Sequence, residues 1–135
     1  MNRDDALRAV VTVGDGRGFV IQGGDYPDDR LILTAAHCLP FFPPCASISG
    51  ADERTYRALV GPLGTKPSVW VECRFVDPIG DVAVLSAPDN QNVFEEYEAY
   101  QDFVNAATAL SIAPAPPSGG AWLLGLDRKW CQCAV

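Results

Sequence analysis

Short apolar segments alternate with turn-forming residues over roughly the first ninety positions of the chain. Six segments are rich in β-branched and other apolar residues: LRAVVTV, RGFVIQ, RLILTA, TYRALVGPL, VWVECRFV and DVAVLSA. Turns rich in Gly, Pro and Asp separate them: GDG, GGDYPDD, LPFFPP, GPLGTKP and DPIG. Strands at this spacing predict an all-β sandwich or barrel. Six strands can close into a small antiparallel barrel with no open edge, and a six-stranded antiparallel β-barrel is the predicted architecture.

The fifth segment shows the two-residue periodicity of a strand with one wet face. Polar or amphipathic residues occupy one set of positions, and apolar residues occupy the other: Trp70, Glu72 and Arg74 against Val71, Cys73 and Phe75. The pattern predicts that the second set faces the core of the barrel.

The pattern changes after the sixth segment. Asn92–Leu110 has no Gly or Pro, and its apolar residues recur at the spacing of one helix face: Phe94, Tyr97, Tyr100, Phe103, Val104 and Ala107. This spacing predicts an amphipathic helix that lies on the barrel, with its aromatic stripe used for packing. Ala113–Gly120 (APAPPSGG) has the composition of a linker.

The last fifteen residues, AWLLGLDRKWCQCAV, predict a β-hairpin that turns near Leu126–Lys129. An isolated two-stranded hairpin is marginally stable in water. We therefore interpret it as the first hairpin of an incomplete second barrel. The predicted domains are 1–90 for the N-terminal barrel, 91–120 for the helical segment and Pro-rich linker, and 121–135 for the partial second barrel.

The charge of the chain excludes two classes of partner. Ten basic and 17 acidic residues among 135 give a net charge of −7, whereas nucleic acids and anionic membranes attract cationic surfaces. No apolar run approaches the roughly 18–20 residues of a membrane span. The start, MNRDDALRAVVTV, has two acids in its first five residues and only a short apolar run, whereas a signal peptide has a basic start and a longer apolar stretch. The expected location is cytoplasmic if Met1 is the native start.

The five cysteines are an odd number, so at least one has no partner within the chain: Cys38, Cys45, Cys73, Cys131 and Cys133. We interpret them mainly as reduced, small apolar residues, with a Cys38–Cys45 disulfide as the alternative. Cys131 and Cys133 would share one face of a strand. No C-x2-C spacing supports a zinc site with His37, so we predict no metal and no cofactor.

The segment LILTAAHC contains His37, the only histidine of the chain. A strand runs into two alanines, and a short turn then presents the imidazole on a rigid support. A histidine, with an ordinary pKa of about 6.5, is the most suitable general base near neutral pH. In this role it needs a buried carboxylate that fixes its tautomer and stabilises the imidazolium.

A candidate for that carboxylate is Asp81, in the segment DPIGDVAVLSAP. It directly precedes the apolar run VAVL, and a charge at the mouth of a buried strand is unfavourable unless a partner bonds it. Asp77 is the competing candidate. We favour Asp81 because Asp77 precedes Pro78 and suits a turn.

The segments GRGFVI, LILTAAHC and GDVAVL resemble those of the chymotrypsin/trypsin-like serine peptidases. The resemblance covers about Leu7 to Ala87, and the 44 positions between His37 and Asp81 are close to the separation in that family. It implies a barrel of the trypsin-like type, with His37 as general base and acid and Asp81 as its orienting partner.

The chain departs from this family at the nucleophile. The family carries its serine in a Gly-Asp-Ser-Gly-type loop of a second barrel, and the nearest imitation here is PPSGG around Ser118. The oxyanion hole of the family uses the backbone N–H two residues before the serine, and Pro116 has none. Ser86 and Ser111 lack a supporting loop. The predicted catalytic residues are therefore His37 and Asp81, without a serine.

Two further departures concern activation and disulfides. Secreted members of the family often begin with an Ile-Val-Gly-Gly-type segment, which is absent here. They also commonly pair the cysteine after the histidine with one on the preceding strand, and GRGFVIQGG offers no such partner to Cys38. The chain is more similar to non-zymogen bacterial or intracellular relatives.

These observations lead to two hypotheses. The first is the N-terminal half of a trypsin-like serine endopeptidase, inactive alone, whose partners are a peptide or protein substrate and a complementary half that bears the serine. The alternative is a pseudo-peptidase binding module that grips a protein partner by its barrel surface and exposed hairpin. Metal binding by His37 and cysteines is a third, weaker hypothesis.

Overall fold

Six antiparallel strands form a closed barrel, as the sequence predicted. The computed structural model describes residues 2–24, 26, 28–44, 51–114 and 119–134. The strands of the barrel are β1 (Val10–Val13), β2 (Gly16–Gln22), β3 (Arg30–Thr34), β4 (Thr55–Pro62), β5 (Val69–Asp77) and β6 (Val82–Ser86). Their order around the barrel is β1-β2-β3-β6-β5-β4, and β4 pairs back with β1. Every strand therefore has a hydrogen-bonded neighbour on both sides, and no edge is left open.

Alternate residues of the six strands fill the interior of the barrel. The side chains of Val20, Ile32, Val60, Val71 and Leu85 are completely buried there. They belong to five different strands, so a single hydrophobic cluster ties the sheet together.

The prediction for Phe75 was wrong. Val71 and Cys73 face the core as expected, but the side chain of Phe75 is 54% exposed. The pairing of β5 with β6 shifts register between Cys73 and Phe75. Because an extra residue in a strand reverses the faces of the residues after it, Phe75 points outward.

A short helix that the sequence analysis missed precedes the barrel. Asn2 caps the N-terminus of helix α1 (Arg3–Leu7), because its side chain accepts a hydrogen bond of 2.8 Å from the backbone N–H of Asp5. This is an N-cap, and Asn followed by acidic residues is its sequence signal. The first strand consequently begins at Val10 and not at Leu7. A second unpredicted helix, α2 (Ala51–Arg54), leads into β4.

The predicted helix on the barrel is present as α3 (Phe94–Ala106). Tyr100 and Val104 are buried against the barrel, and the Tyr100 hydroxyl donates a hydrogen bond of 2.8 Å to the carbonyl of Arg30. The Arg30 guanidinium in turn donates to the carbonyls of Val104 and Ala107, both at 2.8 Å. The guanidinium thus satisfies carbonyl groups at the C-terminal end of α3, which lack partners within the helix. It also anchors the helix to β3.

The predicted C-terminal hairpin is also present, as β7 (Gly120–Leu124) and β8 (Trp130–Ala134). It forms a separate two-stranded sheet. The Arg17 guanidinium of β2 donates to the carbonyls of Leu124 and Gly125, both at 3.0 Å, and that of Arg128 donates to the carbonyl of Leu63 at 3.2 Å. These bonds attach the hairpin to the barrel.

Some predictions fall on positions outside the described residues. These are the Cys38–Cys45 disulfide, because of Cys45, and the roles of Pro116 and Ser118. Among the described residues, no helix has the length and apolar character that crossing a bilayer requires.

Candidate active site

The register of two strands brings His37 and Asp81 to one end of the barrel. Strands β3 and β6 are antiparallel neighbours, and Thr34 pairs with Ala83. His37 comes three positions after Thr34, and Asp81 comes two positions before Ala83. Because the end of β3 and the start of β6 lie side by side in an antiparallel pair, the two functional candidates emerge at the same rim.

The His37 imidazole and the Asp81 carboxylate form a short contact. The distance between Nδ1 of His37 and Oδ2 of Asp81 is 2.6 Å, and the backbone N–H of His37 donates to Oδ1 at 2.9 Å. An ionised carboxylate can only accept hydrogen bonds, so the proton of the neutral ring lies on Nδ1. Nε2 then keeps its lone pair and can accept a proton.

Hydrogen bonds from His37 stabilise the ionised form of Asp81. The ring N–H of His37 lowers the pKa of Asp81 most, followed by the backbone N–H of His37, and the backbone N–H of Ala36 adds to this effect. The carboxylate is therefore charged at neutral pH. Its Oδ2 contacts the imidazole, and its Oδ1 accepts the backbone N–H of the same residue. Sequence reasoning missed the backbone donors, for which the side-chain pattern contains no signal.

The turn before β6 presents Asp81 in an unusual backbone conformation. Its φ is +58°, in the left-handed region that few residues other than glycine adopt. Asp77 shapes this turn, because its carboxylate accepts the backbone N–H groups of Ile79 and Gly80, each at 3.0 Å. The structure thus brings Asp81 to the histidine and leaves Asp77 in the turn.

The site is more open than the sequence analysis expected. We expected a buried carboxylate, but the side chains of Asp81 and His37 are 46% and 75% exposed. Both residues lie in connections beyond the ends of β3 and β6, where the sheet no longer covers them. The contact therefore forms in a solvent-accessible rim, where water screens the charge of the carboxylate.

A groove of about 400 Å³ lies beside the histidine. His37, Cys38, Leu39 and Pro40 form one of its walls, and Leu59 with the β1–β2 turn forms another. That turn approaches closely because it contains Gly14, where an added Cβ would lie 2.9 Å from the carbonyl oxygen of Cys38. The GDG turn was visible in the sequence, but its position under the histidine was not.

A glycine faces Cys38 across this groove. An ideal Cβ on Gly16 would lie 2.6 Å from Sγ and 3.9 Å from Cβ of Cys38. A Cβ–Cβ distance of about 3.8 Å is the mean for disulfides. Position 16 of β2 is therefore close enough to Cys38 for a disulfide, but the residue at that position is glycine.

No serine hydroxyl contacts His37 within the part of the chain that the structure describes. Ser86 is buried at the far end of β6, and its hydroxyl lies 3.4 Å from the carbonyl of Ala87. Ser111 is exposed in the segment after α3. The described residues thus place the imidazole and the carboxylate together without a serine hydroxyl beside them.

The groups with raised pKa values do not belong to this pair. Burial raises the pKa of the phenols of Tyr56 and Tyr100. Burial is also the largest cause of the raised pKa values of Cys73 and Glu72. Because Tyr56 and Tyr100 bond the carbonyls of Phe41 and Arg30, we assign both phenols a structural role.

Metal ligands do not gather at the histidine in the described ranges. No group of three or more His, Cys, Asp or Glu side chains converges anywhere in them. Four of the five cysteines are described, and they form no disulfide with one another: Cys38, Cys73, Cys131 and Cys133.

No protein-family model, curated protein or solved structure matches the chain. A function can therefore be inferred only from the geometry of its own residues and from the motifs that position them.

Proposed function

We propose that this chain is the N-terminal half of a trypsin-like serine endopeptidase, and that a complementary half supplies the nucleophilic serine. The observation that carries the proposal is the 2.6 Å contact between Nδ1 of His37 and Asp81. It leaves Nε2 as the basic atom, which is the arrangement that a Ser-His-Asp triad requires. The closed barrel and the distance between Gly16 and Cys38 support the same family.

In the proposed mechanism, His37 moves one proton twice. Nε2 accepts the proton of the serine hydroxyl as its oxygen attacks the carbonyl of the scissile peptide bond. The imidazolium then donates that proton to the leaving amine, which leaves an acyl-enzyme. Water hydrolyses this ester by the same two transfers. Asp81 stays ionised throughout and stabilises the imidazolium through Nδ1.

The hairpin of β7 and β8 gives the complementary half a place to attach. Within the described ranges each of its strands pairs on one side only, and unpaired edges accept further strands by β-augmentation. In this proposal the hairpin opens the second barrel, which brings the serine and the oxyanion hole to the groove beside His37.

The test is to assemble the chain with a downstream segment that carries a Gly-x-Ser-Gly loop, and to label the complex with a fluorophosphonate probe. We expect the probe to label the serine. His37→Ala should abolish labelling, and Asp81→Asn should lower its rate by on the order of 10⁴-fold, as in other triads. Asp77→Asn is the matched control, because an amide oxygen can still accept the bonds of the turn. No labelling in a complex of verified assembly would contradict the proposal.

The second candidate function is a pseudo-peptidase that binds a protein partner. It is favoured by the exposed apolar residues of the hairpin, Trp122, Leu123 and Leu126. The gene sequence beyond codon 135 distinguishes the two candidate functions. A continuing frame with a Gly-x-Ser-Gly motif favours the peptidase, and a stop codon favours the binding module.

A further inference from the structure

Two cysteines lie next to each other on one face of the hairpin. Cys131 and Cys133 are two positions apart in β8, where side chains alternate between faces. Cys131 pairs with Leu123 and Cys133 with Ala121 across the hairpin. Both thiols are free. This face of the hairpin therefore carries two thiols, and the side chains of Ala121 and Leu123 opposite them have no polar atom.

Both thiols are accessible to solvent, and that of Cys133 is turned toward Cys131. Cys131 is exposed and Cys133 is partly exposed. The Cys133 thiol lies 3.8 Å from the carbonyl of Cys131, so its side chain leans along the strand toward position 131. A thiol is a weak donor, so a stronger ligand bond can replace this contact at small cost.

The cysteines point to the side of the hairpin opposite its contact with α1. Trp122, which alternates with Ala121 and Leu123, carries the Arg3 guanidinium 3.9 Å from its ring centroid. The thiol-bearing face is the other one, and Arg3 does not cover it.

The donor set selects a particular kind of ion. No third His, Cys, Asp or Glu joins the two thiols among the described residues. Structural zinc takes four ligands, and hard cations take oxygen. Soft thiolates select monovalent copper, which accepts two sulfur ligands in a linear arrangement.

We propose that Cys131 and Cys133 form a two-thiolate binding site for Cu(I). Each thiol loses its proton as its sulfur bonds the metal, so two protons are released, one ion is bound and no electron is transferred. Because the ligands are thiolates, the affinity rises with pH. The site does not use His37 or Asp81, although it lies on the hairpin to which the complementary half would attach.

The test is an anaerobic titration of the whole reduced chain with Cu(I) in competition with a chromogenic Cu(I) chelator. We expect one tightly bound ion per chain. Cys131→Ser and Cys133→Ser should each weaken binding by more than about 100-fold, beyond the effect of altering an outer-shell partner. Cys38→Ser and Cys45→Ser are matched controls and should leave the affinity unchanged.

The site would be overturned by tight binding that survives in the Cys131→Ser/Cys133→Ser double variant, by loss of binding in either control, or by preferential binding of Zn(II). X-ray absorption on the loaded chain adds an independent readout. Two sulfur neighbours support the site, and three or four contradict it. Far-UV circular dichroism of each variant verifies that the barrel is folded.

Discussion

The barrel and the C-terminal hairpin are both antiparallel β-structure, yet they are stabilised in different ways. Every barrel strand pairs with another strand on both sides, whereas β7 and β8 pair only with each other among the described residues. Two leucines illustrate the difference, because the side chain of Leu85 in β6 is completely buried and that of Leu123 in β7 is 62% exposed. The two regions therefore differ in the burial of their side chains as well as in the number of paired strand edges.

This difference matters for the location of the candidate site. His37 and Asp81 extend from β3 and β6, two strands whose register is fixed by the core. The hairpin depends on guanidinium bonds to backbone carbonyls from Arg17 and Arg128. The candidate pair thus lies on the region whose strands share a buried core, and the hairpin lies on the region with fewer buried contacts.

The matched leucines give the largest expected effect. Leu85→Ala should lower the free energy of unfolding by about 2–5 kcal/mol, because it leaves a cavity in the core. Leu123→Ala should change it by less than about 0.5 kcal/mol, since an exposed side chain loses little on truncation. Urea denaturation followed by tryptophan fluorescence measures both values. Equal effects would show that the hairpin is packed as tightly as the barrel.

A disulfide in the barrel should produce the next largest effect. Gly16→Cys places a second thiol at disulfide distance from Cys38. The oxidised variant should gain about 3 kcal/mol, the value for closing a loop of this length. Thiol counting and thermal unfolding, with and without reductant, measure the outcome. The reduced variant is the control, and a thiol count that oxidation leaves unchanged would refute the close approach of β2 to Cys38.

Detaching the hairpin should have a smaller and more local effect. Arg17→Ala removes two hydrogen bonds to the carbonyls of Leu124 and Gly125 and should cost about 1–2 kcal/mol. Hydrogen exchange should accelerate in residues 119–134 and stay unchanged in β3 and β6. Arg8→Ala, which breaks only an exposed ion pair with Asp5, is the control. Faster exchange throughout the barrel would contradict the separation of the two regions.

The smallest expected effect concerns acid titration at the rim. The hydrogen bonds of His37 lower the pKa of Asp81 below its unfolded value of about 3.9. Their stabilisation is fully present above the unfolded pKa and is lost as the pH falls through the folded pKa. Carboxyl-carbon NMR measures this titration. His37→Ala should raise the pKa of Asp81 toward its ordinary value. An unchanged pKa would show that the contact between the two side chains is not formed in solution.

The sequence allowed much of the fold to be predicted because local patterns specify strands and turns. All six barrel segments, the helix and the hairpin turn were visible as apolar periodicity and turn residues. The predicted helix of Asn92–Leu110 was too long at both ends. It ends at Ala106 because the chain then extends to pair Leu110 with Ile21, a long-range contact that no local pattern encodes.

The candidate site was likewise predictable from the sequence only in part. The types of residue in LILTAAHC and GDVAVL indicated a base and its acid, and the apolar run after Asp81 favoured it over Asp77. The exposure of both side chains was not predictable, because it depends on which elements cover the barrel rim. The outward turn of Phe75 was equally hidden, since a single register shift between β5 and β6 produces it.

The sequence by itself determined the strands, their turns and the chemical identity of the pair, because these follow from side-chain periodicity and ionisable groups at fixed positions. Only the tertiary structure decided that an imidazole and a carboxylate 44 positions apart lie 2.6 Å from each other. The physical reason is the closure of the sheet, which makes β3 and β6 neighbours and fixes their register through core residues that lie far from both.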